Sequence, residues 1–336
     1  METIKNKGAI LMKNINVLIL SAGRRVELVR CFKEARNNLG IEGNVVAVDI
    51  STTAPAIYHA DKHHIVPRIS ADNFVDEVIN VCKKENINLI VPTIDTELKK
   101  LSDNKELIEC KTNAKVLVSR DEVIKICRDK YNTQAFFEKN GFEMPRLINK
   151  EDIKSKDYNF PLFIKPLNGS SSINTFKINN DRELEFFLDY VPEPIVQEFI
   201  EGDEFTIDVF TDFESNPITI VPRQRIATRG GEVAKGIVKK DRDIIEKVRE
   251  VIDVLKPIGH ITVQCMKTKD GIKFIEINPR FGGGAPISIK AGANSPKNLY
   301  KLLLGEELKY NEDYEENLLA LRHDEAVFLN HEGEVI

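Results

Sequence analysis

The five cysteines of this 336-residue chain (Cys31, Cys82, Cys110, Cys127 and Cys265) form no CxxC pair and no metal-ligand spacing. That excludes a zinc cluster or a disulfide framework, and the scattered residues read as reduced thiols of a cytoplasmic protein. No apolar run approaches the length needed to cross a membrane, so no membrane partner is expected. Basic blocks are missing and the net charge is -5, which leaves no polyanion-binding field and excludes nucleic acid as a partner. The first residues carry charges but no signal-peptide apolar core, and 1–14 reads as a short disordered leader. Internal repeats and low-complexity tracts are absent. What remains is a chain long enough for two or three packed subdomains.

Asn16-Val-Leu-Ile-Leu20 is an apolar run of buried-strand type. A tight turn, Ser21-Ala-Gly-Arg-Arg25, follows, and then apolar residues at helical spacing (Val26, Leu28, Val29, Phe32, Ala35). Residues 45–49, 64–67, 89–92 and 116–118 read as further extended pieces, and Phe74 to Lys84 as a helix. This alternation predicts a parallel sheet with helices on both faces. The turn lacks the G-x-G-x-x-G glycines, so NAD is rejected. Ligands still gather at the carboxyl ends of parallel strands, where Ser21–Arg25, Asp49 and Asp95 lie. Helix capping is the alternative role for both acids.

From Asp121 the texture changes. Residues 122–139 read as one helical stretch, stopped at Asn140-Gly141. Strands are expected over 162–166, 175–178, 195–200, 204–210, 218–222, 261–267 and 272–278, in a mostly antiparallel sheet. The third and fourth of these are expected to flank a Glu-Gly-Asp turn, and Ala326–Leu329 to extend the sheet at its edge.

The segment Phe274-Ile-Glu-Ile-Asn-Pro-Arg-Phe-Gly-Gly-Gly284 carries the most chemistry. Strand alternation points Glu276 and Asn278 the same way, where two oxygen ligands can hold a hard cation such as Mg2+. Arg280 follows within reach of a phosphate on that metal. Ile275 and Ile277 are expected to anchor the opposite face in a core. Gln264 shares a face with Thr262 and Met266, and can join Glu276 as a ligand or stay a structural amide. Lys165 ends a strand before Asn168-Gly-Ser-Ser-Ser172, small residues whose backbone N–H groups can approach phosphate oxygens. The strand edge Gln197–Ile200 can meet an adenine, and Glu204 can accept from ribose hydroxyls. A hairpin with a charged edge is the plainer alternative. Arg223, Arg225 and Arg229 stand on a glycine-punctuated stretch suited to a mobile lid over anions. Arg225 and Arg229 can together clamp a carboxylate.

The order of these pieces resembles the ATP-grasp superfamily: Asp129-Lys130; Phe-Ile-Lys165-Pro with Gly-Ser-Ser-Ser; Gln-Glu198-Phe-Ile-Glu-Gly-Asp-Glu204; Val-Gln264-Cys; and Phe-Ile-Glu276-Ile-Asn278-Pro-Arg280. It is most similar to single-module proteins like the carbamoyl-phosphate synthase large subunit, and the stretch from Val17 to Arg25 resembles the N-terminal domain of the pyrrolysine-synthesis ligase type. The resemblance implies an α/β and α+β ATP-grasp fold. The implied parts are an N-terminal α/β domain (15–120), a small subdomain (121–197), a large subdomain (198–310) and a tail (311–336). It implies ATP and Mg2+ (or Mn2+) as cofactors. Lys130 and Lys165 match phosphate-contacting lysines, and Gly169, Ser170, Ser171 and Ser172 the phosphate-covering loop. Glu198, Phe199 and Ile200 match the adenine hinge, Glu204 the ribose ligand, and Gln264, Glu276 and Asn278 the metal positions. Arg280 matches the arginine near the transferred phosphoryl group, and Arg225 and Asn278 join it as the expected catalytic residues.

The implied activity is ATP-dependent ligation of a small carboxylate to an amine through an acylphosphate, by a chain for which a homodimer is compatible. Phosphorylation of bicarbonate or carbamate, or ATP binding without turnover, are the alternatives.

Overall fold

The structure, a computed structural model, describes residues 14–167 and 173–336. The leader through residue 13 and the Gly169–Ser172 loop lie outside the described residues. The chain opens with β1 (Asn16–Ile19), α1 (Val26–Asn38), β2 (Val45–Asp49), β3 (Lys62–Ile65), α2 (Phe74–Lys84), β4 (Ile87–Val91), α3 (Asp95–Asp103), α4 (Lys105–Lys111) and β5 (Lys115–Val116). The strands form a parallel five-stranded sheet in the order β3-β2-β1-β4-β5. A parallel sheet is covered on both faces, which is why its central strands β1, β2 and β4 read as largely apolar runs. Val17 and Ile19 enter one core, and Leu18 and Leu20 the other. The first of these cores also contains Phe281, Ala285, Ile289 and Leu299. This shared apolar contact sets the N-terminal sheet against the segment that follows the Glu276–Asn278 strand.

The helical stretch after residue 120 is two helices, α5 (Asp121–Arg128) and α6 (Lys130–Lys139), not one. Asp129 breaks them with extended backbone, and its side chain accepts from the Asn132 N–H at 2.9 Å. Helical composition runs through the break, but an aspartate is also a strong N-cap, and here the cap wins.

The next elements, β6 (Leu147–Ile148), α7 (Lys150–Ser155), β7 (Leu162–Pro166), β8 (Phe176–Ile178), α8 (Asp181–Tyr190) and β9 (Pro194–Glu198), build a four-stranded antiparallel sheet, order β6-β9-β7-β8. The remainder is β10 (Asp203–Thr211), β11 (Pro217–Arg229), β12 (Glu232–Val238), α9 (Arg242–Leu255), β13 (Gly259–Thr268), β14 (Gly271–Asn278), α10 (Ala285–Lys290), α11 (Ser295–Leu303) and β15 (Leu319–Leu321). Its six strands run β14-β13-β10-β11-β12-β15, all antiparallel. Among the described residues no helix is long and apolar enough to cross a membrane.

Three expectations are corrected here. β9 and β10 do not form a hairpin around Glu201-Gly-Asp203, because they belong to different sheets and that stretch crosses between them. The basic glycine-rich stretch is no open lid. β11 continues to Arg229 and pairs with β12 across Gly230-Gly231, whose positive φ values of 58° and 75° close the turn. The edge strand is Leu319–Leu321, paired with Lys235–Ile237, and not Ala326–Leu329.

Candidate active-site cleft

The six-stranded sheet has one apolar and one polar face, and register decides which residues meet on the polar one. Ile207, Val209, Ile261, Val263 and Ile277 pack with α9. The opposite face carries cross-strand rows: Glu204 opposite Met266, Thr206 opposite Arg223 and Gln264, Gln264 opposite Glu276, and Asp208 opposite Thr262, itself opposite Asn278. A β-bulge after Gln264 leaves Ile275 unpaired. Phe274 therefore turns into the core, stacked on Phe137 at 4.8 Å, while Ile275 lines the cleft. The expectation that Ile275 anchors the core is thus corrected; Phe274 and Ile277 do so.

A cleft of about 640 Å3 opens above this face, within the range of small-ligand sites. Lys130, Lys165, Glu204, Arg225, Gln264, Glu276, Asn278 and Arg280 all line it. Glu276 Oε1 accepts from Gln264 Nε2 and from Asn278 Nδ2, each at 2.8 Å, so the three expected ligands converge on one point. The set offers only hard oxygen donors, one carboxylate and two amide carbonyls, which fits Mg2+ better than a thiolate- or imidazole-seeking metal.

Lys130 opens α6, and its Nζ donates to the carbonyls of Pro166 and Leu167 at 2.9 and 2.6 Å. The helix break at Asp129 is what brings it there. Lys165 lies on β7 facing the same space. Burial pushes its ammonium down to about 8, against a partial lift from Glu276.

Arg280 donates to Asp95 at 2.6 Å and to Asn278 Oδ1 at 3.2 Å, joining the parallel domain to the polar sheet face. Arg225 is held by Glu204 and by the Gly231 carbonyl. Burial raises the Glu204 carboxyl, and Arg225 opposes the rise. Arg229 is exposed and bonded to Asp324, so the expected Arg225–Arg229 clamp does not converge.

Glu198, Phe199 and Ile200 lie at the junction of the two antiparallel sheets, beside the residues lining the cleft and not among them. Glu198 accepts from the Arg146 N–H at 3.0 Å and from Lys273 at 2.6 Å, and Lys177 lies over the Phe199 ring at 4.3 Å.

At the parallel sheet, Asp49 accepts from the N–H groups of Gly23 and Ser51, so it caps the turn and does not line the cleft. Glu97, fully buried, accepts from Ser21 Oγ and the N–H groups of Thr93 and Ile94. Burial raises its carboxyl to about 7 against those donors. Together these two acids hold the Ser21–Arg25 turn, and Arg25 reaches Glu232 at 3.2 Å across the cleft mouth.

Sequence reasoning missed Arg128, Thr206 and Glu232 as lining residues, and the apolar end formed by Met144, Leu147, Phe163 and Ile195. Thr206 was findable, because it alternates with Glu204 along one strand. The apolar end was not, because it comes from three separate segments.

An architecture of one parallel domain and two antiparallel sheets around this cleft is that of the ATP-grasp fold. Residues 127–284 match the family described as the ATP-grasp domain, and residues 17–116 the family described as PylC-like, N-terminal domain. The chain thus carries a PylC-like N-terminal domain followed by an ATP-grasp domain.

D-alanine–D-alanine ligase B of Clostridium perfringens is 26% identical over 176 residues, covering 46% of this chain and 57% of the relative. The match thus spans little more than half of that relative's length. A formate-dependent phosphoribosylglycinamide formyltransferase of Wigglesworthia glossinidia brevipalpis is 25% identical over 291 residues, covering 81% of this chain and 71% of the relative. Among solved structures, the biotin carboxylase domain of Hydrogenobacter thermophilus 2-oxoglutarate carboxylase shares the fold at a TM-score of 0.70 and 18% identity, over 90% of this chain and 73% of that one.

Proposed function

We propose that the protein is an ATP-dependent carboxylate–amine ligase that works through an acylphosphate. The observation that carries this reading is the convergence of Lys130, Lys165, Glu204, Gln264, Glu276, Asn278 and Arg280 on one cleft. It is supported by relatives that are themselves ligases or formyltransferases of small molecules.

In this reading the apolar end takes the adenine, with the 198–200 hinge beside it, and Glu204 takes the ribose. Lys130 and Lys165 hold the phosphates, together with the Gly169–Ser172 loop outside the described residues. Mg2+ (or Mn2+), held by Glu276, Asn278 and Gln264, would supply neutralising charge between the phosphates. A carboxylate oxygen attacks the γ-phosphorus as the bond to the bridging oxygen of ADP breaks. The amine then forms the C–N bond at the acyl carbon as the C–O bond to phosphate breaks, and the ammonium proton is lost to solvent. No covalent protein nucleophile is needed. Arg280 and the lysines align two anions and offset their repulsion.

The deciding experiment is phosphate release from ATP and Mg2+ by the purified chain, against pools of amino acids and small carboxylates, with and without bicarbonate. Release that needs both an acid and an amine is expected. Release with bicarbonate alone, or none from any pool, would sink the ligase reading.

A pH signature accompanies it. The Lys165 ammonium is held down to about 8, so it loses charge as pH rises through that value, and phosphates bound beside it would draw the proton back. ATP affinity is expected to fall above pH ~8 with proton uptake on binding. Calorimetry in two buffers of different ionisation enthalpy measures the uptake, which Lys165→Met should abolish.

A further inference from the structure

Glu97 takes no part in the proposed chemistry, yet it is an ionisable group where one is costly. It is fully buried, and its hydrogen-bond partners, one hydroxyl and two backbone N–H groups, carry no charge. Its place in the first turn of α3 makes helix capping the plain role. A glutamine would fill that role without burying a charge, since its carbonyl can accept from both N–H groups and its amide can donate to Ser21 Oγ. Capping alone therefore leaves the carboxylate unexplained.

Its place between two strand ends is the second observation. Glu97 Oε2 accepts from Ser21 Oγ at 2.8 Å, just past β1. Its Oε1 accepts from the N–H groups of Thr93 and Ile94 at 2.6 and 3.2 Å, just past β4. Thr93 Oγ1 donates back to the carbonyls of Leu20 and Ser21 at 2.9 and 2.8 Å. Ser21 has φ 45°, a left-handed conformation that a serine keeps only where its surroundings hold it.

Asp95 is the next residue along from this tie. It accepts from Arg280 Nη2 at 2.6 Å, across 185 positions of sequence, and the same nitrogen donates to Asn278 Oδ1 at 3.2 Å. Arg280 Nη1 reaches only the adjacent Phe281 carbonyl, at 3.3 Å, and its Nε is buried without a partner. Asp95 is thus the charged tether on this guanidinium.

We infer that Glu97, in its ionised form, is a positioning residue for Arg280, fixing the Thr93–Asp95 turn from which Asp95 aims the guanidinium at the end of the Glu276–Asn278 strand. The inference rests on the ligase reading for what Arg280 does in turnover, but the tie itself can be tested without it.

Burial raises the Glu97 carboxyl to about 7 against its three donors, and Asp95 adds to the rise. Glu97 therefore takes up a proton as pH falls through neutrality, which weakens its hold on those donors. The charged and titratable groups around the two strand ends are Asp95 on its own helix, Arg25 after β1, Arg280 after β14 and Cys127 on α5. The guanidinium groups keep their charge near neutrality. Burial and Asp95 push the Cys127 thiol up, so it keeps its proton there.

The first measurement needs no turnover. The buried Arg280 Nε–H is followed by 15N NMR in the arginine-labelled full chain, and its loss in Arg280→Lys assigns it. In the wild type the resonance is expected to shift with pH, with a midpoint near 7. In Glu97→Gln that shift should vanish. Ser21→Ala removes one donor to the carboxylate and should move the midpoint to higher pH. It keeps the test open if a thermal melt shows Glu97→Gln unfolded. The second measurement is turnover. Wild-type kcat should fall below pH ~7, whereas Glu97→Gln should be slower by about 10-fold or more at pH 8, with a flat acid limb and an unchanged KM for ATP.

An Arg280 resonance indifferent to pH in the wild type, or titrating alike in folded Glu97→Gln, overturns the tie. A Glu97-dependent titration without ADP release from any acid pool sinks the ligase reading and leaves the tie standing. Acid-dependent ADP release with the same kcat and pH profile in Glu97→Gln as in wild type removes Glu97 from the positioning role and leaves the ligase reading intact.

Discussion

Glu276→Ala is expected to leave a folded protein that no longer turns over. Glu276 is the one carboxylate at the point where Gln264 and Asn278 converge, and Lys130 and Lys165 both feel its charge. Removing a single preorganised charge-stabilising group costs about 3 kcal/mol in the transition state, or ~100-fold in rate. In the proposed role of Glu276 as anionic ligand to Mg2+, the loss should exceed that. The fold should survive, because Glu276 sits on the cleft face of an edge strand whose opposite face keeps Phe274 and Ile277 in the core. ADP release under saturating ATP, together with a thermal melt, checks both halves. Turnover near the wild-type rate would remove Glu276 from the metal site.

The second large effect falls on stability. Asp208→Ala should destabilise the protein by about 3–5 kcal/mol, because it leaves the Arg223 guanidinium buried without its counter-ion. Asp208→Asn keeps the shape and loses the charge, and should lie between this variant and wild type. Burial pushes the Asp208 carboxyl up, but Arg223 and His260 more than offset that and hold it below the usual carboxylate range. A carboxyl depressed in the folded state contributes its stability above the unfolded value of about 3.9 and loses it as pH falls further. Urea midpoints from pH 6 down to pH 3 should therefore fall for the wild type, with a shallower slope for Asp208→Asn. Equal slopes would place the acid sensitivity elsewhere.

Much of the cleft was legible before any coordinates. Strand alternation alone put Glu276 beside Asn278, and Gln264 on the polar side of Ile261, Val263 and Cys265, because side chains in a pleated strand alternate faces. The alternation of strands with helices over the first 120 residues specified a parallel sheet, since parallel neighbours need a crossover connection between them. Where the sequence misled, local preferences competed on nearly equal terms. Asp129 is compatible with both a helix and a cap, and the cap delivered Lys130 to the carbonyls after β7. The glycines at 230 and 231 fit a loose lid as well as a hairpin turn, and pairing with β12 chose the hairpin.

The chain by itself determined which residue types could hold a phosphate, a ribose and a hard cation, and on which strand faces they lie. Only the tertiary structure decided which partner each arginine takes. Arg225 is bonded to Glu204, Arg229 to Asp324, Arg280 to Asp95 and Arg25 to Glu232, all across 21 or more positions in sequence. No periodicity records such partners. Arg223 is the one of these arginines that is fully buried, because an aspartate from the neighbouring strand takes two sides of its fork and the backbone at Gly284 packs against the rest.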